Sequence, residues 1–93
     1  QLQESIRKLA DDNRSGATTL TRRCADLVGE HAQQTTLRGE AYLEELTALL
    51  TEVLRGQPSM APLFNLANEV LLAADAAPDP LAAAATTAAT FSH

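Results

Sequence analysis

The chain has 93 residues, enough for one small domain that buries about 60% of its extended-chain surface. Aromatics make up 3% of it, so its core must be built from Leu, Val, Ile and Ala. Its net charge of −5 makes it a poor nucleic-acid binder, because that affinity rests on cationic contacts to phosphate.

Taken in order, Leu2, Ile6, Leu9 and Asn13 share one helical face, with Glu4, Arg7, Lys8 and Asp11 elsewhere, which predicts a short amphipathic helix. Asn13-Arg14-Ser15-Gly16 breaks it. Ser15 is expected to cap the next helix, and Gly16 allows a close backbone approach. That second helix is expected over 17–33, where Ala17, Leu20, Cys24, Leu27, Val28 and His31 recur at three- and four-residue steps. The polar run Gln33-Gln34-Thr35-Thr36 ends it. A third helix is expected over 37–54, with Tyr42/Leu43, Leu46, Leu49/Leu50 and Val53/Leu54 inward and Glu40, Glu44, Glu45 and Glu52 wet. Arg55-Gly56 reads as a stop, with glycine free to turn left-handed.

A fourth helix follows Gln57. Pro58 and Pro62 both suit a first helical turn, and Ser59 is placed to cap it; the sequence leaves the starting register open between the two prolines. Met60, Leu63, Phe64, Ala67, Val70, Leu71 and Ala74 give its buried face. The run 76–80 breaks it, and residues 81–91 form an Ala-rich stretch that is either a fifth helix or a linker. The fold class is therefore all-α, a small bundle of four main helices over 1–77. An Ala-rich C-terminal helix or linker over 78–93 would lead toward a further domain.

Few residues suggest chemistry. Arg14-Ser15-Gly16-Ala17 at a helix start has the makings of an anion site, since free N–H groups meet a guanidinium there. Asn65 and Asn68 are poor helix formers on a largely apolar helix, which makes them interface candidates. Cys24 lies on a core stripe and reads as a small apolar residue. No catalytic set, metal cluster or cofactor loop is apparent: His31 and His93 stand apart from any ligand set at metal spacing. No apolar run is long enough to span a membrane, and the first residues lack the pattern of a signal peptide. The missing initiator Met suggests a processed or cut piece.

Two stretches carry a resemblance. Pro58-Ser59-Met60-Ala61-Pro62-Leu63-Phe64-Asn65-Leu66-Ala67-Asn68 and Asp12-Asn13-Arg14-Ser15-Gly16-Ala17 are similar to segments of the helical N-terminal domain of the translation initiation factor 2B alpha/beta/delta family. That family includes ribose-1,5-bisphosphate and methylthioribose-1-phosphate isomerases. The likeness runs from about Ile6 to Leu72.

The resemblance implies a cytoplasmic, non-catalytic helical domain that precedes a Rossmann-like C-terminal domain. The isomerase cysteine and aspartate belong to that second domain. Implied partners are the C-terminal domain of the parent or partner subunits, with a homo-oligomer and a phosphorylated sugar or nucleotide in the parent also implied. Arg14, Ser15, Gly16, Ala17, Gln57 and Ser59 would be the phosphate-binding positions. At one of them the family's arginine is replaced by Gln57, which can donate a hydrogen bond but cannot neutralise phosphate. Two functions follow from the likeness: an interaction and regulatory module, or the substrate-lid half of a sugar-phosphate isomerase. An unrelated four-helix module needs neither.

Overall fold

The computed structural model describes residues 2–12, 14–57 and 60–91. Among these the chain is all-helical: α1 (Leu2–Asp11), α2 (Ala17–Gln34), α3 (Gly39–Gly56), α4 (Ala61–Ala76) and α5 (Pro80–Ala89). Both α2 and α3 are packed on by α1, α4 and α5, and α4 and α5 also pack on each other. The bundle measures 37 × 23 × 20 Å. The Ala-rich stretch, left open between helix and linker by its sequence, is a helix that packs on α4 and α2.

One apolar cluster joins all five helices. Ile6 and Leu9 enter it from α1, Leu20 and Val28 from α2, and Leu46 and Val53 from α3. Leu63 and Val70 enter from α4, and Ala84 and Ala88 from α5. The two alanines lie four residues apart, on one face of the helix. Having only methyl side chains, they let α5 lie close against its neighbours.

The helix ends differ from expectation in four places, each with a local cause. First, Ser15 does not cap α2: Gly16 is the N-cap and no side chain bonds to that helix end. The Ser15 hydroxyl donates to Asp12 instead, at 2.7 Å. Second, α3 begins two residues late, because Arg38 Nη1 donates to the carbonyls of Thr35 and Leu37 at 3.2 and 2.7 Å. Gly39, with φ +61°, then turns the chain into the helix. Third, α5 has an N-cap that the sequence reading took only as a break. Asp79 Oδ1 accepts the Ala82 N–H at 3.2 Å, and Pro80 follows directly.

The fourth difference concerns Gly56. It is the last helical residue of α3 and does not turn left-handed. Its role is steric. A Cβ there would stand 2.4 Å from the Ala10 carbonyl oxygen and 2.6 Å from the Ala10 Cβ. The backbones of α1 and α3 therefore touch at this point.

Gly56→Ala is expected to destabilise the fold by about 1–3 kcal/mol through overpacking. That outweighs the roughly 1 kcal/mol that alanine gains over glycine in a helix. Urea unfolding of both proteins measures it; equal midpoints would show that α1 moves away at no cost.

Candidate functional site

Gln57, which directly precedes one of the two stretches that carry the resemblance, meets the first residue of the other at one end of the bundle. A helix leaves its last four carbonyls without intrahelical partners. At the end of α1, those groups are reached by a side chain from beyond α3. Gln57 Nε2 donates to the carbonyl of Leu9 at 3.0 Å, to that of Ala10 at 3.2 Å, and to that of Asp12. Gln57 is buried, so its amide trades water for protein carbonyls. The backbone contact at Gly56 brings it within reach.

Asp12 organises the following turn. Its Oδ1 accepts the N–H groups of Arg14 and Ser15, both at 2.9 Å. Its Oδ2 accepts the Ser15 hydroxyl and Arg23 Nη1, both at 2.7 Å. This is a side chain imitating a backbone turn. The Ser15 hydroxyl, then the Ser15 and Arg14 N–H groups, and last Arg23, hold the Asp12 carboxyl far below its ordinary value of 3.8, against a smaller opposing effect of desolvation.

The expected phosphate residues therefore have defined places. Arg14 is exposed, Ser15 is bonded to Asp12, Gly16 caps α2 and Ala17 opens it. Gln57 is committed to α1. Ser59 lies outside the described residues. Arg14 lines a shallow depression with Arg7 and Lys8, together with Glu4, Asp11 and Asp12. Three cations face three carboxylates, so the depression carries no net positive field, and the carboxylate nearest the α2 start opposes an incoming anion.

The interface candidates lie elsewhere. Asn65 and Asn68 are both exposed on α4. Asn68 borders an open groove between α3 and α4, lined also by Leu43, Thr47, Leu71 and Leu72 with Glu44 and Asp75.

One polar cluster escaped sequence reasoning. His31 is buried on α2, and its Nε2 hydrogen-bonds to Glu45 Oε1 on α3. The imidazole stacks on Tyr42, with centroids 5.5 Å apart and planes 18° from parallel. His31 Nδ1 and the Tyr42 hydroxyl are buried without a partner among the described residues. Glu45 had been assigned to the solvated face; its side chain is half exposed, yet it reaches across to α2. The signals available were a histidine in register with the α2 apolar stripe and Tyr42 in register with that of α3.

Burial pushes the Tyr42 hydroxyl and the Cys24 thiol each up to about 12. Cys24 therefore offers almost no thiolate near neutral pH. Among the described residues no three His, Cys, Asp or Glu side chains converge as a metal site would need, and no helix is long and apolar enough to cross a membrane. No protein-family model, curated protein or solved structure matches the chain.

Two outcomes follow for this junction. Gln57→Ala should lower stability by about 1–3 kcal/mol, the cost of stranding buried carbonyls, whereas exposed Arg14→Ala should change it by less than about 0.5 kcal/mol. Denaturant melts of both variants compare them, and equal effects would remove the capping role. The second outcome concerns acid. Asp12 has a depressed folded-state pKa, so its contribution is present above the unfolded value near 3.8 and lost as pH falls below it toward the folded value. Thermal melts from pH 5 down to 2 should show a shallower loss for Asp12→Ala than for the unmodified chain.

Proposed function

We propose that the chain is a non-catalytic interaction and regulatory module, the helical N-terminal domain of a protein like translation initiation factor 2B. The observation that carries this is that Gln57, beside one resembling stretch, bonds to Asp12, the first residue of the other. Gln57 and Asp12 are 45 residues apart in sequence, and the side chain of one bonds to the carbonyl of the other. In this reading Asp12, from a stretch similar to the family's, and Gln57, where the family has arginine, hold helices together and fix the shape that the module presents. Asp12 supports it further, because its carboxylate already holds the N–H groups of Arg14 and Ser15 and puts negative charge beside the start of α2. Cys24, buried in the core, supplies no nucleophile.

The module would act through the C-terminal domain of its own parent or through partner subunits, in a homo-oligomer or a mixed assembly. Any phosphorylated sugar or nucleotide would be held by the parent. One observation favours the substrate-lid reading instead: Arg14 is exposed beside a helix start that no side chain caps.

Two measurements test the proposal. The purified 93-residue chain should produce no isomerised product from ribose-1,5-bisphosphate or methylthioribose-1-phosphate. Turnover that disappears in Cys24→Ala would overturn the non-catalytic reading. Hydrogen exchange should then be compared between the isolated chain and the parent protein. Extra protection of helix surface in the parent is expected; identical exchange at every amide would remove the interaction role. Protection confined to residues 14–17 and dependent on added sugar phosphate would support the lid reading.

A further inference from the structure

The fourth helix is apolar on two faces. Leu63, Leu66, Ala67, Val70 and Ala74 face the core. Phe64, Asn68, Leu71, Leu72 and Asp75 form a second stripe, at steps of four, three, one and three residues. Phe64 is 41% exposed and Leu72 is 71% exposed. An exposed leucine alone needs no explanation; a stripe that continues into a groove does. Leu71 and Leu72 share that groove with Leu43 and Thr47 of α3.

The charge around it is one-sided. Residues 1–34 carry five basic and five acidic side chains, so the whole net charge of −5 falls on residues 35–93, which hold two basic and seven acidic. Glu44 and Asp75 stand at the groove itself, and no Lys or Arg lines it.

We propose that the α3–α4 groove is the docking site for a basic amphipathic helix of a partner protein. The inference rests on the interaction-module reading and names its partner by chemistry. Complementary charge would select a cationic partner and exclude acidic ones. A groove between two helices suits a third helix that lays down an apolar face. On α4 the lining runs from Asn68 to Asp75, two helical turns or about 10 Å, which matches anchors at i, i+3, i+4 and i+7 on the incoming helix. A second copy of this chain seated groove to groove would bring Glu44 and Asp75 against their own duplicates, so like charge opposes that occupant.

The test uses the full chain and a synthetic peptide of about 14 residues, with Leu at i, i+3, i+4 and i+7 and Lys at most other positions. A permuted peptide of the same composition, with its leucines spread around the helix, is the control. Affinity is read by fluorescence anisotropy, and circular dichroism checks that each variant folds. Leu72→Lys, and separately Glu44→Lys with Asp75→Lys, should each weaken binding by roughly tenfold or more. Asp26→Lys with Glu30→Lys makes the same change in net charge on α2, and should alter affinity by less than about threefold. Equal losses from the two charge-reversed pairs, or equal affinity for the permuted peptide, would overturn the proposal by showing only diffuse attraction. Self-association of the chain that Leu72→Lys abolishes would overturn it in favour of a second copy. If the peptide fails while the parent still protects the chain elsewhere in hydrogen exchange, the groove proposal falls and the interaction module stands.

Discussion

The contact between Gly56 and Ala10 is the constraint on which the arrangement of the first three helices depends. With no side chain at Gly56, the end of α3 can rest on the backbone of α1. The next residue, Gln57, then reaches the carbonyls of Leu9, Ala10 and Asp12. Each buried carbonyl left bare would cost about 1–3 kcal/mol, so the amide and the close approach sustain each other. The benefit passes onward. With the carbonyl of Asp12 held, its carboxylate is placed to order the turn into α2 and to receive Arg23 from that helix. A single backbone contact thus sets the relation of α1, α2 and α3.

The far end of the α2–α3 pair is held differently. There His31 of α2 stacks on Tyr42 and bonds to Glu45, both of α3. Thr35 adds to this end. Its N–H donates to the His31 carbonyl at 2.9 Å and its Oγ1 accepts the Leu37 N–H at 3.1 Å, which fixes the connecting loop. The two helices are therefore linked by polar groups at this end, and at the other Arg23 and Gln57 tie each of them to the end of α1. Directional bonds fix how the helices sit along each other, which aliphatic packing alone specifies loosely.

The fold was legible in the sequence because helical periodicity is a local property. The inward stripes of α2 and α3 could be read directly: Leu20, Leu27, Val28, Leu46, Leu49, Leu50 and Val53 are buried, while Leu43 and Leu54 are half-buried. What the sequence concealed was long-range or depended on competition. Ser15 has the chemistry of a cap, but the carboxylate of Asp12 is a stronger acceptor for its hydroxyl than any arrangement that would leave it facing the helix start. Gly56 looks like a stop signal in isolation; its steric role needs α1 in place. Gln57 was read beside the prolines that follow it, whereas its partners lie 45 to 48 residues earlier. Asp79-Pro80 is the exception, since an N-cap followed by proline is a local signal that could have been read as the start of a helix.

These placements separate the polar junction from the exposed apolar surface. At the junction of α1, α2 and α3, Ser15 already bonds to the Asp12 carboxylate and Gln57 to the carbonyls at the end of α1, while the Arg14 side chain is exposed. A ligand there would have to replace the four hydrogen bonds that Asp12 accepts, two of them from Ser15, before it gained any of its own. The outer stripe of α4 has the opposite energetics. Fully burying a leucine or phenylalanine stabilises by about 1.5–3 kcal/mol, and on Leu72 and Phe64 much of that gain is unused. No bond must break to obtain it, because Leu43, Leu71 and Leu72 offer only apolar atoms to whatever covers them. The acids at the margin, Glu44 and Asp75, then decide which partner gains, since a cationic helix meets attraction where an acidic one meets repulsion. A covering partner would therefore gain most where the helices are apolar and incompletely covered, away from the junction of Asp12 and Gln57.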